Sequence, residues 1–406
     1  MWLKFLSQDQ LEMIHSASLR ILEEVGVLIH DNDFLRVLAN AGASVDLDSK
    51  RTRIPSTLVS ECVKKAPKCI ALYARDPKYN VEFVNGKIYT HPVGGAANVI
   101  DLDSGLVRPA TRRDIEDLTR LVDALPNIHT STMIVYPNDV PERVRDIYAV
   151  EAILRNTCKN FDAMPYTDES FQFIIEMIET VTGEKELRTH PIITVSISPT
   201  SPLQFSSDVT KIMVRATNCH IPIAILPCPL AGATSPVTLA GTLVQQNAEM
   251  LAGLTMIQLL NPGNPVQYSP RCMPLDMSTG QACAGIEEAM ISVCCVQLAK
   301  YYGLPSDVYG LDTDSKVLDE QVAIERAMNG LLAALSGPNA LSGAGCIEGG
   351  ITVSYEQLVI DNEIFEMIFR AVKGIAFDEE KLAVDVIRKV AQESSNFLQQ
   401  KHTLQH

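Results

Sequence analysis

Cations are scarce in this sequence. Its 406 residues carry 34 lysines and arginines against 49 aspartates and glutamates, a formal net charge of -15 with a pI near 5.0. Nucleic acids and anionic membrane surfaces are held mainly by Lys and Arg, so neither is an expected partner. Long uninterrupted apolar runs are missing as well. The most apolar stretch, residues 238–260, is broken by Gln245, Gln246, Asn247 and Glu249, and reads as a buried helix of a soluble protein rather than a membrane span. The opening MWLKFLSQDQ lacks the apolar core of a signal peptide and turns polar by Ser7, so export is not expected. No CxxC occurs among the ten cysteines, and Cys219, Cys228, Cys294 and Cys295 lie inside apolar runs. They read as reduced core residues of a cytoplasmic protein. The eight histidines form no HxH or HExxH and no Cys/His pair has ligand spacing, so no metal bound by this chain is expected. GxSxG is absent too, and the adjacent Cys219-His220 reads as packing at a helix end.

What the chain does have is a core. With 46% hydrophobic and 20% charged residues it can bury one barrel-sized domain with additions, or two smaller domains. Residues 7–25 open with a Ser cap and set Leu11, Ile14, Ser18, Ile21, Leu22 and Val25 along one helical face that Gly26 ends. A second helix is expected over 31–40 and a third after Pro55. Residues 69–107 hold short β-rich pieces punctuated by Asp-Pro, Asn-Gly and Gly-Gly, the signature of hairpins. Residues 1–85 are therefore expected to form a cap of N-terminal helices and a β-hairpin.

From about residue 86 strand-like and helix-like segments alternate. The strand candidates are KIYTHP (87–92), IHTSTMIVY (128–136), FDAMPY (161–166), PIITVSIS (191–198), IPIAILP (221–227), PVQYSP (265–270), PSDVYG (305–310) and NALSGAG (339–345). Helices are expected over about 111–125, 141–157, 168–182, 206–219, 238–260, 281–302, 317–335 and 355–372. Thr111 with Asp114, Ser206, and Asp314-Ser315 serve as start signals. Eight repeats are the number that closes a (β/α)8 TIM barrel, here over 86–375, leaving 376–406 as a final helix and tail. The runner-up is an open doubly wound sheet. It usually carries a glycine fingerprint after its first strand, which His91-Pro92-Val93-Gly94-Gly95 does not match.

Ligands of parallel α/β proteins bind at the strand ends. The stretch 305–350 supplies two such ends, with Asp312, Asp314 and Glu348 in the loops that follow. If those loops are neighbours they build one pocket. Asp312, Asp314 and Glu348 are the catalytic candidates, and His91, Tyr268, Arg271, Asp276 and Tyr309 are the substrate-binding candidates. Tyrosines and carboxylates with few cations suit a small positively charged molecule. Competing readings are plain ones. His91 precedes a proline in a turn, and Arg271 can pair with Asp276. The 342–350 loop could cradle a phosphate but contains no Lys or Arg, and Glu348 would repel the anion.

Several long segments carry a resemblance: ILEEVGV, PATRRDIEDLTRLVDALPNI, PLDMSTGQACAGIEEAMISVCCVQLAKYYGLP, TDSKVLDEQ and SYEQLVIDNEIFEMIFRAVKGI. Together the chain resembles the trimethylamine:corrinoid methyltransferase family over nearly its whole length. The resemblance implies a TIM barrel with N-terminal additions. It also implies methyl transfer from a methylated amine to a corrinoid (cobalamin) carried by a small separate corrinoid-binding protein, whose Co(I) is the nucleophile. The founding branch contains pyrrolysine, whereas this chain uses only the twenty standard residues. The resemblance therefore implies the branch acting on quaternary amines such as glycine betaine, proline betaine or carnitine, because a quaternary nitrogen already carries the charge and departs as a neutral tertiary amine. Asp312, Asp314, Tyr268 and Tyr309 would then attract the ammonium, and Arg271 or His91 a substrate carboxylate. Trimethylamine or another methylated amine is the alternative donor. A barrel lyase with a Schiff base at Lys316, a non-catalytic betaine-binding relative, and a homodimer through the front helices are further options. Members of this family are expected to continue several dozen residues beyond QQKHTLQH, so either the segment after 375 is truncated or the natural product is short.

Overall fold

The computed structural model describes residues 2–393 and 395–406, the Glu184 side chain excepted. Two compact units divide it, Met1–Glu366 and Met367–His406. In the first, strands and helices alternate in the expected order. The strands are β1 (Tyr89–Pro92), β2 (Ser131–Thr132), β3 (Phe161–Ala163), β4 (Ile193–Ile197), β5 (Ile223–Ile225), β6 (Val266–Tyr268), β7 (Asp307–Tyr309) and β8 (Ala340–Ala344). The helices that follow them are α1 (Arg112–Ala124), α2 (Arg145–Asn156), α3 (Asp168–Thr182), α4 (Ser207–Asn218), α5 (Leu239–Leu260), α6 (Ile286–Tyr302), α7 (Glu320–Leu335) and α8 (Tyr355–Lys373).

The fold is α/β, with every pairing among these eight strands parallel. Five strands form one sheet in the order β6-β5-β4-β3-β2, and three form another in the order β7-β8-β1. Backbone bonds span both seams. Tyr268 N donates to the Pro305 carbonyl at 2.8 Å, and His129 N to the Thr90 carbonyl at 2.9 Å. The segment IHTSTMIVY gives only two strand residues because Gly95 N and Ala96 N take the Met133 and Ile134 carbonyls, at 2.8 and 3.0 Å. Its backbone thus pairs with the loop after β1 instead of extending a strand.

The helices turn apolar stripes inward. In α1 the buried set Ile115, Leu118, Thr119 and Val122 follows the i, i+3, i+4, i+7 spacing of one face. α5 differs, being buried almost all round, and its polar residues are bonded inside the protein. Gln246 Nε2 donates to Tyr268 Oη at 2.8 Å, and Asn247 Nδ2 to Tyr302 Oη and to Ser18 Oγ at 2.9 Å each. Glu249 accepts from Ser201 Oγ at 2.8 Å and Leu203 N at 2.9 Å. Helix Gln8–Arg20 covers the outer side of α5, which is why Ser18 sits on its buried face. The expected Ser7 cap forms, with Gln10 completing it: Gln10 N donates to Ser7 Oγ at 3.2 Å and Ser7 N to Gln10 Oε1 at 2.8 Å. Ser206 likewise caps α4. The start of α7 lies later than Asp314-Ser315: Asp319 is the cap, accepting from Val322 N at 3.2 Å, because the Asp314 carboxylate is taken by Ala284 N at 2.7 Å. Among the described residues no helix is long and apolar enough to cross a membrane.

The front section holds more strand than its texture suggests. Val27–Ile29 pairs antiparallel with Arg51–Arg53 and parallel with Gln204–Phe205. Gly26 permits that approach: at φ 77° a Cβ there would stand 2.3 Å from the Thr52 carbonyl oxygen. Three-residue strands are too short to show a period, so sequence pattern misses them. The hairpin Ile70–Leu72/Val81–Phe83 does form where expected. It buries Ile70, Leu72, Val81 and Phe83 against Ala340 and Tyr89, at the N-terminal ends of β8 and β1. The second unit, Met367–His406, contains the end of α8 and helices Glu379–Leu382 and Val384–Glu393.

Candidate functional site

Strand parity decides which side chains face the interior. Successive residues of a strand point to opposite faces, and paired residues of parallel strands share one. Thr132, Asp162 and Thr194 are neighbours in register, and Ser196, Ala224 and Gln267 continue the same face. Ile225 and Tyr268 occupy the opposite face, against α5: Ile225 lies beside Gly253, and Tyr268 Oη bonds Gln246 and Asn247. The face bearing Asp162 is therefore the one turned away from the helices.

Two acids of that face define its chemistry. Asp307, on β7, accepts from Arg271 Nη2 at 2.5 Å through Oδ2 and faces His91 Nε2 at 3.1 Å through Oδ1, while its carbonyl accepts from Arg271 Nη1 at 2.9 Å. Burial opposes its charge, yet the Arg271 guanidinium and His91 hold it at about 2. Asp162 is the converse. Burial pushes it up to about 7, the Ser196 hydroxyl donates to Oδ2 at 2.7 Å, and Oδ1 has no hydrogen-bond partner. The Arg271 guanidinium lies 5.0 Å from the Tyr309 ring centre, and burial and then Asp312 raise the Tyr309 phenol well above its ordinary range. Cys228, on the loop after β5, is exposed, and the protein packed around it still pushes its thiol up to about 12 by desolvation.

A layer of carboxyls adjoins Tyr309. The loops after β7 and β8 are neighbours, since Glu348 N donates to Ser315 O at 2.9 Å and Gly349 N to Thr313 O at 2.8 Å. Gly343, at φ 104°, lets them close, because a Cβ there would stand 2.0 Å from the Leu311 carbonyl oxygen. Asp312 is fully buried. Its Oδ1 accepts from Thr313 N at 2.8 Å and from Cys346 Sγ at 3.3 Å, its Oδ2 has no partner, and burial pushes it up to about 6. Asp314 is raised by burial, against the bond from Ala284 N and with Glu325 nearby. Glu288, from the first turn of α6, is 1% exposed with neither oxygen partnered. Burial first, then Asp312 and Asp314, hold it far above the usual carboxylate range. Beneath both loops runs a fully buried ion pair, Arg326 to Asp361 at 2.8 Å, with Arg326 also on the Leu311 and Gly343 carbonyls at 3.3 Å each.

His91, Arg271, Tyr309, Asp312 and Asp314 are thus brought into one connected network, with Glu348 on the adjoining loop. Glu348 itself bonds Thr352 Oγ1 at 2.9 Å from a left-handed backbone of φ 57°. Tyr268 is not brought in, because its parity sends it to α5. Asp276 stands apart too. It closes its own turn, accepting from Ser278 N at 2.8 Å and from Ser278 Oγ and Thr279 Oγ1 at 2.7 Å, and Arg271 pairs with Asp307 instead. Asp162, Asp307 and Glu288 escaped the sequence reading. For the two aspartates a signal existed: a charged residue inside a strand of an all-parallel sheet has no solvated face to turn to. Glu288 was masked by Glu287, the pair looking like acids that complement a helix N-terminus. Among the described residues no group of three or more His, Cys, Asp or Glu side chains is placed to hold a metal ion.

Comparison with known proteins gives this geometry its context. A family model described as Trimethylamine methyltransferase (MTTB) matches residues 2–406. The chain belongs to the trimethylamine methyltransferase family. It is 36% identical over 402 residues to trimethylamine methyltransferase MttB of Desulfitobacterium hafniense, covering 98% of this chain and 81% of the relative. It is also 33% identical over 402 residues, 98% of this chain and 83% of the relative, to a glycine betaine methyltransferase of the same species. The monomethylamine methyltransferase of Methanosarcina barkeri shares the fold, with a TM-score of 0.61 at 11% identity, over 92% of this chain and 76% of that one. This member of the trimethylamine methyltransferase family is accordingly an enzyme of the methyltransferase class.

Proposed function

We propose that the chain moves a methyl group from a quaternary methylated amine to the cobalt of a corrinoid carried by a separate protein. The observation that carries this reading is the set of buried carboxyl oxygens without donors, on Glu288 and Asp312 about Tyr309 and on Asp162 near the Arg271–Asp307 pair. A quaternary ammonium has no N–H to give. It is held by charge and by aromatic faces, which the carboxyls and Tyr309 offer, and the same free acceptors also suit the N–H of a protonated amine. Trimethylamine and glycine betaine in the relatives' names bracket the substrate chemistry. Trimethylamine as donor remains the second reading.

In this scheme the chain's own residues position more than they react. The acids and Tyr309 seat the cationic nitrogen. Its departure as a neutral tertiary amine requires no proton from the protein. Arg271 and His91 face the same chamber, but both are engaged by Asp307, so a substrate carboxylate has to share them with that acid. When docked, the partner's corrinoid supplies the cobalt that accepts the methyl group. A surface that fits a broad apolar macrocycle and its carrier is present: Tyr166, Val237, Met277, Val317 and Ile351 are all exposed on loops that follow the strands. We read the two parallel sheets, joined at their seams by the Tyr268–Pro305 and His129–Thr90 bonds, as one closed (β/α)8 ring. In that reading residues 1–85 are the cap, 86–375 the barrel and 376–406 the tail.

The test is methyl transfer from a panel of N-methylated amines, followed through the spectrum of a Co(I) corrinoid. A double Asp312→Ala, Asp314→Ala variant is expected to lose transfer, and unchanged transfer in that variant rejects the scheme.

A further inference from the structure

We propose that Glu288 and Asp312 form a protonated carboxyl pair that exchanges its proton for the cationic nitrogen of the substrate, so that binding the amine and releasing a proton are one event. The inference rests on the methyl-transfer reading for the identity of the cation, and adds a binding residue, Glu288, that nothing in the sequence pattern singles out.

The geometry is unusual for a resting protein. Glu288 is 1% exposed and Asp312 fully buried, and three of their four carboxyl oxygens have no hydrogen-bond partner. Buried carboxylates are ordinarily paired or supplied with donors, because an uncompensated buried charge is costly. Asp314, from the same loop as Asp312, repels the pair, and the thiols of Cys272 and Cys346 and the Tyr309 phenol are all shifted toward their neutral forms. Arg271 is committed to Asp307, and Arg326 to Asp361. Among the described residues no cation in contact is left over for the pair, which therefore keeps a proton, in accord with the upward displacement of both acids.

The exchange balances. The protonated pair and a quaternary ammonium ion give the ionised pair with that cation seated on it, and one proton passes to solvent. No bond to carbon or nitrogen changes in this step. A protonated amine drives the same exchange, so the seat selects for positive charge.

Tetramethylammonium chloride is the probe, titrated calorimetrically into the full chain in two buffers of different ionisation enthalpy at pH 6 and pH 7. The expected result is uptake by buffer of up to one proton per cation bound, with affinity falling by up to about tenfold per pH unit on acidification. Glu288→Gln, nearly isosteric, is expected to weaken binding by about tenfold or more and to abolish part of the proton release, without lowering the melting temperature. Wild-type affinity and proton release in Glu288→Gln overturn the proposal, as does buffer-independent heat in the wild type. Should Glu288→Gln fail to fold, Asp312→Asn provides the second measurement with the same expected loss of proton release. The two readings separate cleanly. Methyl transfer with no proton release leaves the enzymatic reading standing and removes the pair, and proton-coupled tetramethylammonium binding with no transfer from any amine does the reverse.

Discussion

Replacing Asp162 by Asn should stabilise the protein at pH 8 and do far less at pH 5. Asp162 lies on the inner strand face with Oδ1 unpartnered, and burial lifts it from 3.8 to about 7. An acid raised in the folded state binds its proton more tightly there than in the unfolded chain. Its cost is therefore absent below about pH 4, grows as pH rises, and is complete above about 7. Fully developed, that cost is about 4 kcal/mol, from 1.36 kcal/mol per unit, and water in the chamber reduces it. Asn keeps an acceptor for the Ser196 hydroxyl but places an NH2 where Oδ1 had no partner, a penalty of about 1–3 kcal/mol that does not depend on pH. The pH-dependent part is the cleaner quantity. Between pH 5 and pH 8 the advantage of the variant should grow by about 3 kcal/mol. For a unit the size of Met1–Glu366, with about 2.1 cal/mol/K of unfolding entropy per residue, that is roughly 3 to 4 °C in Tm. Differential scanning fluorimetry of both proteins at the two pH values measures it. Equal Tm differences at pH 5 and pH 8 would refute the assignment of a raised acid at this position.

Asp307 predicts the opposite slope. Held at about 2, it contributes stability that is present above pH 4 and lost as pH falls toward 2, about 2 kcal/mol in all, so Asp307→Asn should flatten the acid limb of a Tm-against-pH curve. At neutral pH that variant should also lose about 3–5 kcal/mol, because Arg271 is left buried without its partner. Gly343→Ala drives a Cβ to 2.0 Å from the Leu311 carbonyl at a left-handed φ. It should therefore lower Tm and methyl transfer together, whereas Gly105→Ala, which meets nothing within 4 Å, should spare transfer. Met277→Asp and Val317→Asp, on the exposed rim, should slow transfer to a protein-borne corrinoid several-fold while leaving transfer to a free corrinoid near wild type. Equal losses in both assays would remove the rim as a docking surface.

How much of this was legible beforehand follows from the range of each interaction. The alternation of apolar segments and amphipathic helices is local, and it placed all eight strand segments and their helices. The caps at Ser7 and Ser206 are equally local and form as expected. The acidic loop after β7 and the glycine-rich loop after β8 announced themselves by composition, and the structure makes them neighbours. Strand parity was legible too, and ignoring it misplaced Tyr268, one residue from Gln267 on the inner face. The pairing of charges was not. Arg271 lies five residues from Asp276 and thirty-six from Asp307, yet binds the distant acid, because Asp276 is consumed by its own Ser278–Thr279 turn. Glu288 carries the same lesson. On a helix wheel it is one more N-terminal acid, and only the packing of α6 against the loop after β7 strips it of water and partners. The sequence alone determined the order of elements and the acidic and glycine-rich character of the loops after β7 and β8, since those depend on residues a few positions apart. Tertiary structure alone decided which acids are paired and which are buried without partners, since desolvation and Coulomb energies depend on what is brought near in space.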